Sequence, residues 1–224
     1  MSQELWTAVD EYIQRTLVPP DPALDAALDA SAEAGLPEIH VAPNQGMMLH
    51  LLARMQHPKR ILEVGTLGGY STIWLAMALA PDGHLITLEY DPKHAQVAQE
   101  NITRAGLADR VEIRVGRAID SLAQLAAEGL DSFDLIFIDA DKPSNPDYFR
   151  WALALSRPGT VIIVDNVVRE GRIVDEGSTD GSVRGVREMF DVIAAEPRVD
   201  ATAVQTVGAK GYDGLLLALV KELS

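Results

Sequence analysis

The stretch ILEVGTLGGYSTIWLA, residues 61–76, decides the fold. Its first four residues, Ile61 to Val64, form a short apolar run of strand character. Gly65, Gly68 and Gly69 follow at once, and from about Tyr70 to Leu79 the residues take helical spacing. Glycines placed directly between a strand and a helix supply the positive φ that a tight βα turn needs. That requirement alone would explain them. In open parallel sheets, however, ligands bind beyond the carboxyl ends of the strands, and the first βα turn is the usual place.

Outward from this stretch, strands and helices alternate. HLITLE (His84 to Glu89) is the next strand, and Pro92 opens a helix that stops at Gly106. VEIRV (Val111 to Val115) is a third strand, followed by a helix ended by Gly129. FDLIFID (Phe133 to Asp139) is a fourth, apolar enough for burial on both faces. A helix over PDYFRWALALS leads to a fifth strand, Thr160 to Asn166. The tail differs: a helix over SVRGVREMFDVIAAE, then VDATAVQTV and YDGLLLALV, close enough to pair antiparallel. The pattern predicts an α/β fold with a doubly wound, mostly parallel Rossmann-like sheet. An antiparallel C-terminal strand makes it the methyltransferase variant. Residues 1–58 read as a helical N-terminal addition broken at VPPDP, and 1–224 as one domain.

Composition excludes several classes of function. Lys+Arg is 19 against Asp+Glu 33, a net charge of −14, and no basic run interrupts the acidic balance. Such a chain repels phosphate backbones and anionic lipid, so neither nucleic acid nor a membrane is an expected partner. There is no cysteine, which removes disulfides, thiolate metal sites and cysteine nucleophiles together. The opening residues lack a signal-peptide core, and no apolar run nears the ~20 residues of a membrane helix. The expected location is the cytoplasm.

The loop at residues 65–69 is not the dinucleotide fingerprint G-x-G-x-x-G, because Leu67 stands where the second glycine would admit a pyrophosphate. Glu63, at the end of its strand, also disfavours phosphate but suits a cationic amino-acid group. S-adenosylmethionine has an ammonium, a sulfonium and no phosphate. Glu89, ending the second strand, is placed to accept ribose hydroxyls. Gly116 and Ala118 leave room for an adenine ring.

Asp139, Asp141 and Lys142 close the fourth strand in FIDADKP, and Asp165 and Asn166 close the fifth in IIVDNV. Parallel neighbours would bring both groups to one sheet edge. Two carboxylates and an amide oxygen form a hard donor set suited to Mg²⁺ first, or to Mn²⁺ or Ca²⁺. The five histidines show no metal spacing and read as surface or packing residues. Ser71 is outside any G-x-S-x-G elbow, which disfavours a serine hydrolase.

Through VAPNQGMML, ILEVGTLGGYSTIWLA, ITLEYDP, NITRAGLADRV, FIDADKP, ALALSRPGTVIIVDNVVREG and QTVGAKGYDG the sequence resembles the cation-dependent class I O-methyltransferases, the group of caffeoyl-CoA and catechol O-methyltransferases, and its bacterial branch in particular. The resemblance implies methyl transfer from S-adenosylmethionine to a hydroxyl of a small catechol-like or vicinal-diol phenolic substrate. It implies cofactor contacts at Val41, Glu63, Gly65, Thr66, Ser71, Glu89, Ala118 and Asp141. It further implies metal ligation by Asp139, Asp165 and Asn166, with Lys142 and Asp139 as the catalytic pair and Lys142 as the base, and a homodimer joined through the first helices or the VREG region. Between residues 1 and 58 the only Lys or Arg residues are Arg15 and Arg54, unlike the basic segment with which plant members hold coenzyme A esters. Two readings compete with this one: a dinucleotide-dependent oxidoreductase on the same fold, and a non-catalytic cofactor-binding protein.

Overall fold

A computed structural model describes residues 2–222. Its strands are β1 (Arg60–Val64), β2 (His84–Glu89), β3 (Val111–Val115), β4 (Phe133–Ile138), β5 (Ser156–Asp165), β6 (Val199–Gly208) and β7 (Gly211–Val220). Its helices are α1 (Gln3–Leu17), α2 (Pro22–Glu33), α3 (Pro43–Gln56), α4 (Tyr70–Ala76), α5 (Pro92–Arg104), α6 (Ala118–Ala127), α7 (Asn145–Ala154) and α8 (Gly181–Ala194). The seven strands form one sheet in the order β3-β2-β1-β4-β5-β7-β6. β1 to β5 run parallel, β7 lies antiparallel to β5, and β6 antiparallel to β7.

Strand order reverses between β1 and β4, so their carboxyl ends diverge into helices on opposite faces and leave a crevice between them. The period-2 alternation of the strands sorts the core into two layers. Ile61, Leu85, Leu135, Phe137 and Ile163 face α2 to α5. Leu62, Ile86, Ile136, Ile138 and Ile162 face α6 to α8. Both layers are needed because a parallel sheet has no face it can leave to water. Among the described residues no helix is long and apolar enough to cross a membrane.

Local chemistry sets the helix starts. Asp91 and Asp180 cap α5 and α8 by accepting N–H bonds from the first turn, and Pro92 occupies the position where a missing N–H costs nothing. Of the boundaries that differ from the sequence reading, two have a visible cause. α4 ends at Ala76, and the residues to Leu79 continue as tighter turns, with Ala78 N–H on Leu75 O and Leu79 N–H on Ala76 O. β5 begins at Ser156, four residues before Thr160, because Phe133 pairs with Ser156 ahead of a register shift. The Thr160 hydroxyl donates to Phe133 O at 2.6 Å and takes the Arg157 N–H at 3.0 Å, replacing the ladder bonds the shift removes.

α8 lies against the short turn Lys142–Ser144 that follows β4. It can do so because Gly185 has no side chain: a Cβ there would sit 2.2 Å from Lys142 O and 2.7 Å from Pro143 Cα. Alanine would improve helix propensity by about 1 kcal/mol, but the obstacle is backbone, which cannot swing aside, and overpacking costs about 1–3 kcal/mol. Gly185→Ala should therefore lower the urea midpoint by the equivalent of up to roughly 2 kcal/mol at unchanged m. A midpoint equal to or above that of the wild type would show that the contact is slack.

Candidate active site

The loop after β1 turns sharply, with Gly65 at φ 98° and Gly69 at φ 81°. Gly65 is irreplaceable on steric grounds: an added Cβ would lie 2.1 Å from the carbonyl oxygen of Asp139, the residue after β4. The loop is fixed by a carboxylate. Glu89, at the end of β2, accepts the N–H groups of Thr66 and Leu67 on Oε2 at 3.1 and 2.7 Å, and that of Asp91 on Oε1 at 2.9 Å. These bonds hold Leu67 in the left-handed region at φ 51°, where a branched side chain is strained.

Glu63 lies below this loop and does not reach the cavity wall. It is fully buried and accepts the hydroxyls of Ser71 at 2.7 Å, Thr72 at 2.5 Å and Thr87 at 2.8 Å. The sequence reading expected Glu63 to contact the cofactor; in the fold it stands behind Ser71, which lines the cavity and donates its hydroxyl to the carboxylate. Burial pushes the Glu63 carboxyl up to about 7, against the pull of the three hydroxyls, and Asp139 adds to the rise.

The second group forms where β4 and β5 end side by side, Ile138 opposite Val164. Lys142 Nζ donates to Asp139 Oδ1 at 2.7 Å, and Lys142 is buried. Asp165 accepts the Asn166 N–H on Oδ1 at 2.8 Å and the Gln45 side-chain amide on Oδ2 at 2.6 Å. Its carboxyl is raised above the usual range, first by burial and then by the nearby Asp139, while Lys142 and the two hydrogen bonds oppose the shift. The Asp139 charge thus opposes ionisation of its neighbour Asp165. Asn166 has φ 57°, which carries the chain away from β5 and leaves its side chain at the cavity. No group of three or more His, Cys, Asp or Glu side chains gathers among the described residues. The oxygen set here is two carboxylates and an amide.

Both groups border one cavity of about 810 Å³, within the range of small-molecule sites. Val41, Gly65, Thr66, Ser71, Glu89, Ala118, Asp139, Asp141, Lys142 and Asn166 line it, whereas Glu63 and Asp165 stand behind the wall. Asp141 accepts the Tyr148 hydroxyl at 2.5 Å and that of Ser144. Sequence reading missed Tyr148, Ile119 and Gln45, and it assigned all histidines to surface or packing. His50 does pack, bonding Trp74 O at 3.0 Å, but His40 and His94 line the cavity, His94 lying 3.6 Å from Glu89. The position of His94 in the first turn of a helix that starts beside β2 was the available signal.

A glycine loop after the first strand of a 3-2-1-4-5-7-6 sheet, pinned by an acid on the second and facing a cavity walled by carboxylates, defines a methyltransferase of the S-adenosylmethionine-dependent class. The chain belongs to the O-methyltransferase family, whose model matches residues 20–221. It is 57% identical over 221 residues to the catechol O-methyltransferase of Niastella koreensis, covering 99% of this chain and 100% of that protein. The solved O-methyltransferase from Bacillus cereus in complex with SAH superposes with a TM-score of 0.97 at 57% identity, over 98% of this chain and 100% of the other. The O-methyltransferase TomG from Streptomyces achromogenes, involved in tomaymycin synthesis and solved with SAM, superposes at 0.96 with 50% identity, over 99% and 100%. The protein is an S-adenosylmethionine-dependent O-methyltransferase, and the dinucleotide and non-catalytic readings fall.

The buried Glu63 makes ligand-free stability depend on pH. Its carboxyl titrates near 4.5 in the unfolded chain and near 7 in the fold. Between those values the folded state binds more protons, so the contribution of Glu63, full below 4.5, is lost as pH rises through 7. Glu63→Gln, which does not titrate, should gain on the wild type by up to roughly 3 kcal/mol across this window. Unfolding of the two ligand-free proteins at several pH values checks this. Parallel stability curves would mean that Glu63 ionises freely in the fold.

Proposed function

We propose that the enzyme methylates a hydroxyl of a small catechol-like substrate with the help of a divalent cation, Mg²⁺ first. The observation that carries this reading is the pair of strand ends that brings Asp139, Lys142 and Asn166 to one edge of the cavity, with Asp165 directly behind them and close enough to feel the Asp139 charge. The catechol O-methyltransferase name borne by a relative of equal length supports the substrate class.

The residues present fit both groups. S-adenosylmethionine carries positive charge and no phosphate, which suits a wall holding Glu89, Asp139 and Asp141. Glu89 is the candidate for its ribose, Ser71 backed by Glu63 for its amino-acid end, and Ala118 for its adenine. Val41, Gly65, Thr66 and Asp141 complete that set. Bound there, it supplies a methyl group on an electron-poor sulfonium. Asp139, Asp165 and Asn166 would hold the cation, because hard oxygens suit it and because a positive charge relieves the mutual repulsion of the two carboxylates. Bound there, it supplies Lewis acidity that eases ionisation of an acceptor hydroxyl.

Among the described residues Lys142 is the one lysine that lines the cavity, and its Nζ is anchored by Asp139. In this reading it takes the proton of the acceptor hydroxyl as the methyl group moves. Asp139 keeps the amine aimed, and the packing of α8 on the turn at Lys142–Ser144 keeps the backbone behind it still. Initial rates with and without EDTA, for the wild type and Lys142→Met, test the scheme. Exhaustive chelation should abolish turnover, and Mg²⁺ or Mn²⁺ should restore it. The substitution should cost ~10²–10⁴-fold, less for a nitro-substituted catechol that arrives already ionised. Full activity after chelation sinks the cation. Equal rates for both proteins with every acceptor sink the base.

A homodimer belongs to the same proposal. α1 exposes Leu5, Val9 and Tyr12, and the edge strand β6 exposes Val204 and Val207 within a run, residues 201–209, that carries no charge. An uncharged edge strand of this length is an aggregation hazard unless something covers it. A second copy is the occupant we propose. Light scattering in the micromolar range should give twice the 24.2 kDa chain mass, and a monomer throughout would refute it.

A further inference from the structure

α3 begins Pro43, Asn44, Gln45 without a side-chain cap on Ala42. The two neighbouring amides serve different partners. Asn44 Nδ2 donates to Asp10 Oδ1 of α1 at 2.8 Å, and Gln45 Nε2 donates to Asp165 Oδ2 at 2.6 Å.

Asp10 is itself a junction. It is 6% exposed, and its second oxygen takes the Ala209 N–H at 2.7 Å, in the turn between β6 and β7. Gln3, from the same helix, donates to Gly208 O at 2.9 Å and Ala209 O at 3.2 Å. The carboxylate fills the space that a side chain at residue 208 would need, since a Cβ there would lie 2.3 Å from Asp10 Oδ2. The first turn of α3 is therefore clamped against α1 and the hairpin, and Gln45 reaches Asp165 from a fixed base.

We infer that Gln45 is a positioning residue: it sets the rotation of the Asp165 carboxylate so that the remaining lone pairs face the cation. The Asn166 N–H holds Oδ1 at 2.8 Å from the other side, so the carboxylate plane is defined at both oxygens. Gln45 is not part of the cavity wall and cannot act on substrate directly. The inference rests on the cation reading given above. It adds that the N-terminal helices, remote in sequence from the ligands, hold one of those ligands in place.

The test is Mn²⁺ affinity, measured by calorimetry and by electron paramagnetic resonance of the free ion, for the wild type and Gln45→Met. Methionine keeps the volume and removes the donor. Loss of an outer-shell partner of a metal ligand usually costs 10–100-fold in metal affinity, and that loss is expected here with S-adenosylmethionine affinity unchanged. Mn²⁺ binding equal to or tighter than wild type would overturn the inference, since a merely space-filling Gln45 would alter stability alone. Asn44→Ala keeps Gln45 but frees its turn, and should weaken Mn²⁺ by a smaller factor than Gln45→Met does. It carries the test should Gln45→Met fail to fold, and unchanged affinity in it would then count against the inference. A wild-type protein that binds no Mn²⁺ would instead sink the cation reading itself.

Discussion

The approach of two backbones at the switch point of the sheet governs the rest of the molecule. The chain leaving β1 passes across the chain leaving β4 with Gly65 against the Asp139 carbonyl, at a distance no residue with a Cβ could keep. The bond from Asp139 N–H to Val64 O at 2.8 Å closes the crossing. The cofactor loop and the acidic strand end are thereby parts of one rigid junction, not two sites that must find each other. Methyl transfer needs donor and acceptor aligned to within a fraction of an ångström. A junction made of main chain can supply that alignment, since it does not depend on flexible side chains.

Around that junction the protein buries acids. Glu63, Glu89 and Asp165 are all shielded from water, and each is met by hydroxyl or N–H donors instead of a cationic side chain bonded directly to it. Neutral donors compensate burial only in part, which is why the Glu63 and Asp165 carboxyls are pushed upward. Negative potential beside a cavity favours positively charged ligands.

Much of this was legible in the sequence because strands buried on both faces read as continuous apolar runs with glycine or acid at their ends. Asp139, Asp165 and Asn166 were expected at one sheet edge because they close two such runs, and β4 and β5 do end side by side. Glu63 was expected to face the cavity from the end of its strand, and in the fold it stands behind the cavity wall. Strand parity held the answer, since Glu63 shares a face with Ile61, toward α4, whose Ser71 and Thr72 bind it. Gln45, His40 and Tyr148 were invisible for a different reason. Gln45 and His40 come from the chain ahead of β1, Gln45 meeting Asp165 across 120 residues, which no local pattern encodes; Tyr148 is only seven residues beyond Asp141, but that its hydroxyl turns back onto that carboxylate is set by packing. β5 was started too late because the extension from Ser156 depends on one threonine hydroxyl substituting for ladder bonds, while Ser156 reads as the end of the preceding helix and Arg157, Pro158 and Gly159 as the break after it.

The antiparallel tail has a physical role that a purely parallel sheet could not fill. Immediately after β5 the backbone enters the left-handed region at Asn166, Arg169 and Glu170, with φ between 54° and 58°. Each such residue costs of order 1 kcal/mol or more, so the turn must be held from outside. Asp213, near the start of β7, accepts the N–H groups of Val168, Arg169 and Gly214 on one oxygen, each at 2.9 Å, and its other oxygen faces Arg169 at 3.5 Å. A sixth parallel strand would arrive from the opposite end and bring its carboxyl terminus here, after its own side chains had been committed to the sheet. An antiparallel strand instead begins at this edge, so the residues preceding its pairing with β5 are free to bind the turn. The direction of β7 is thus what lets Asp213 hold Arg169 in its strained conformation beside the end of β5.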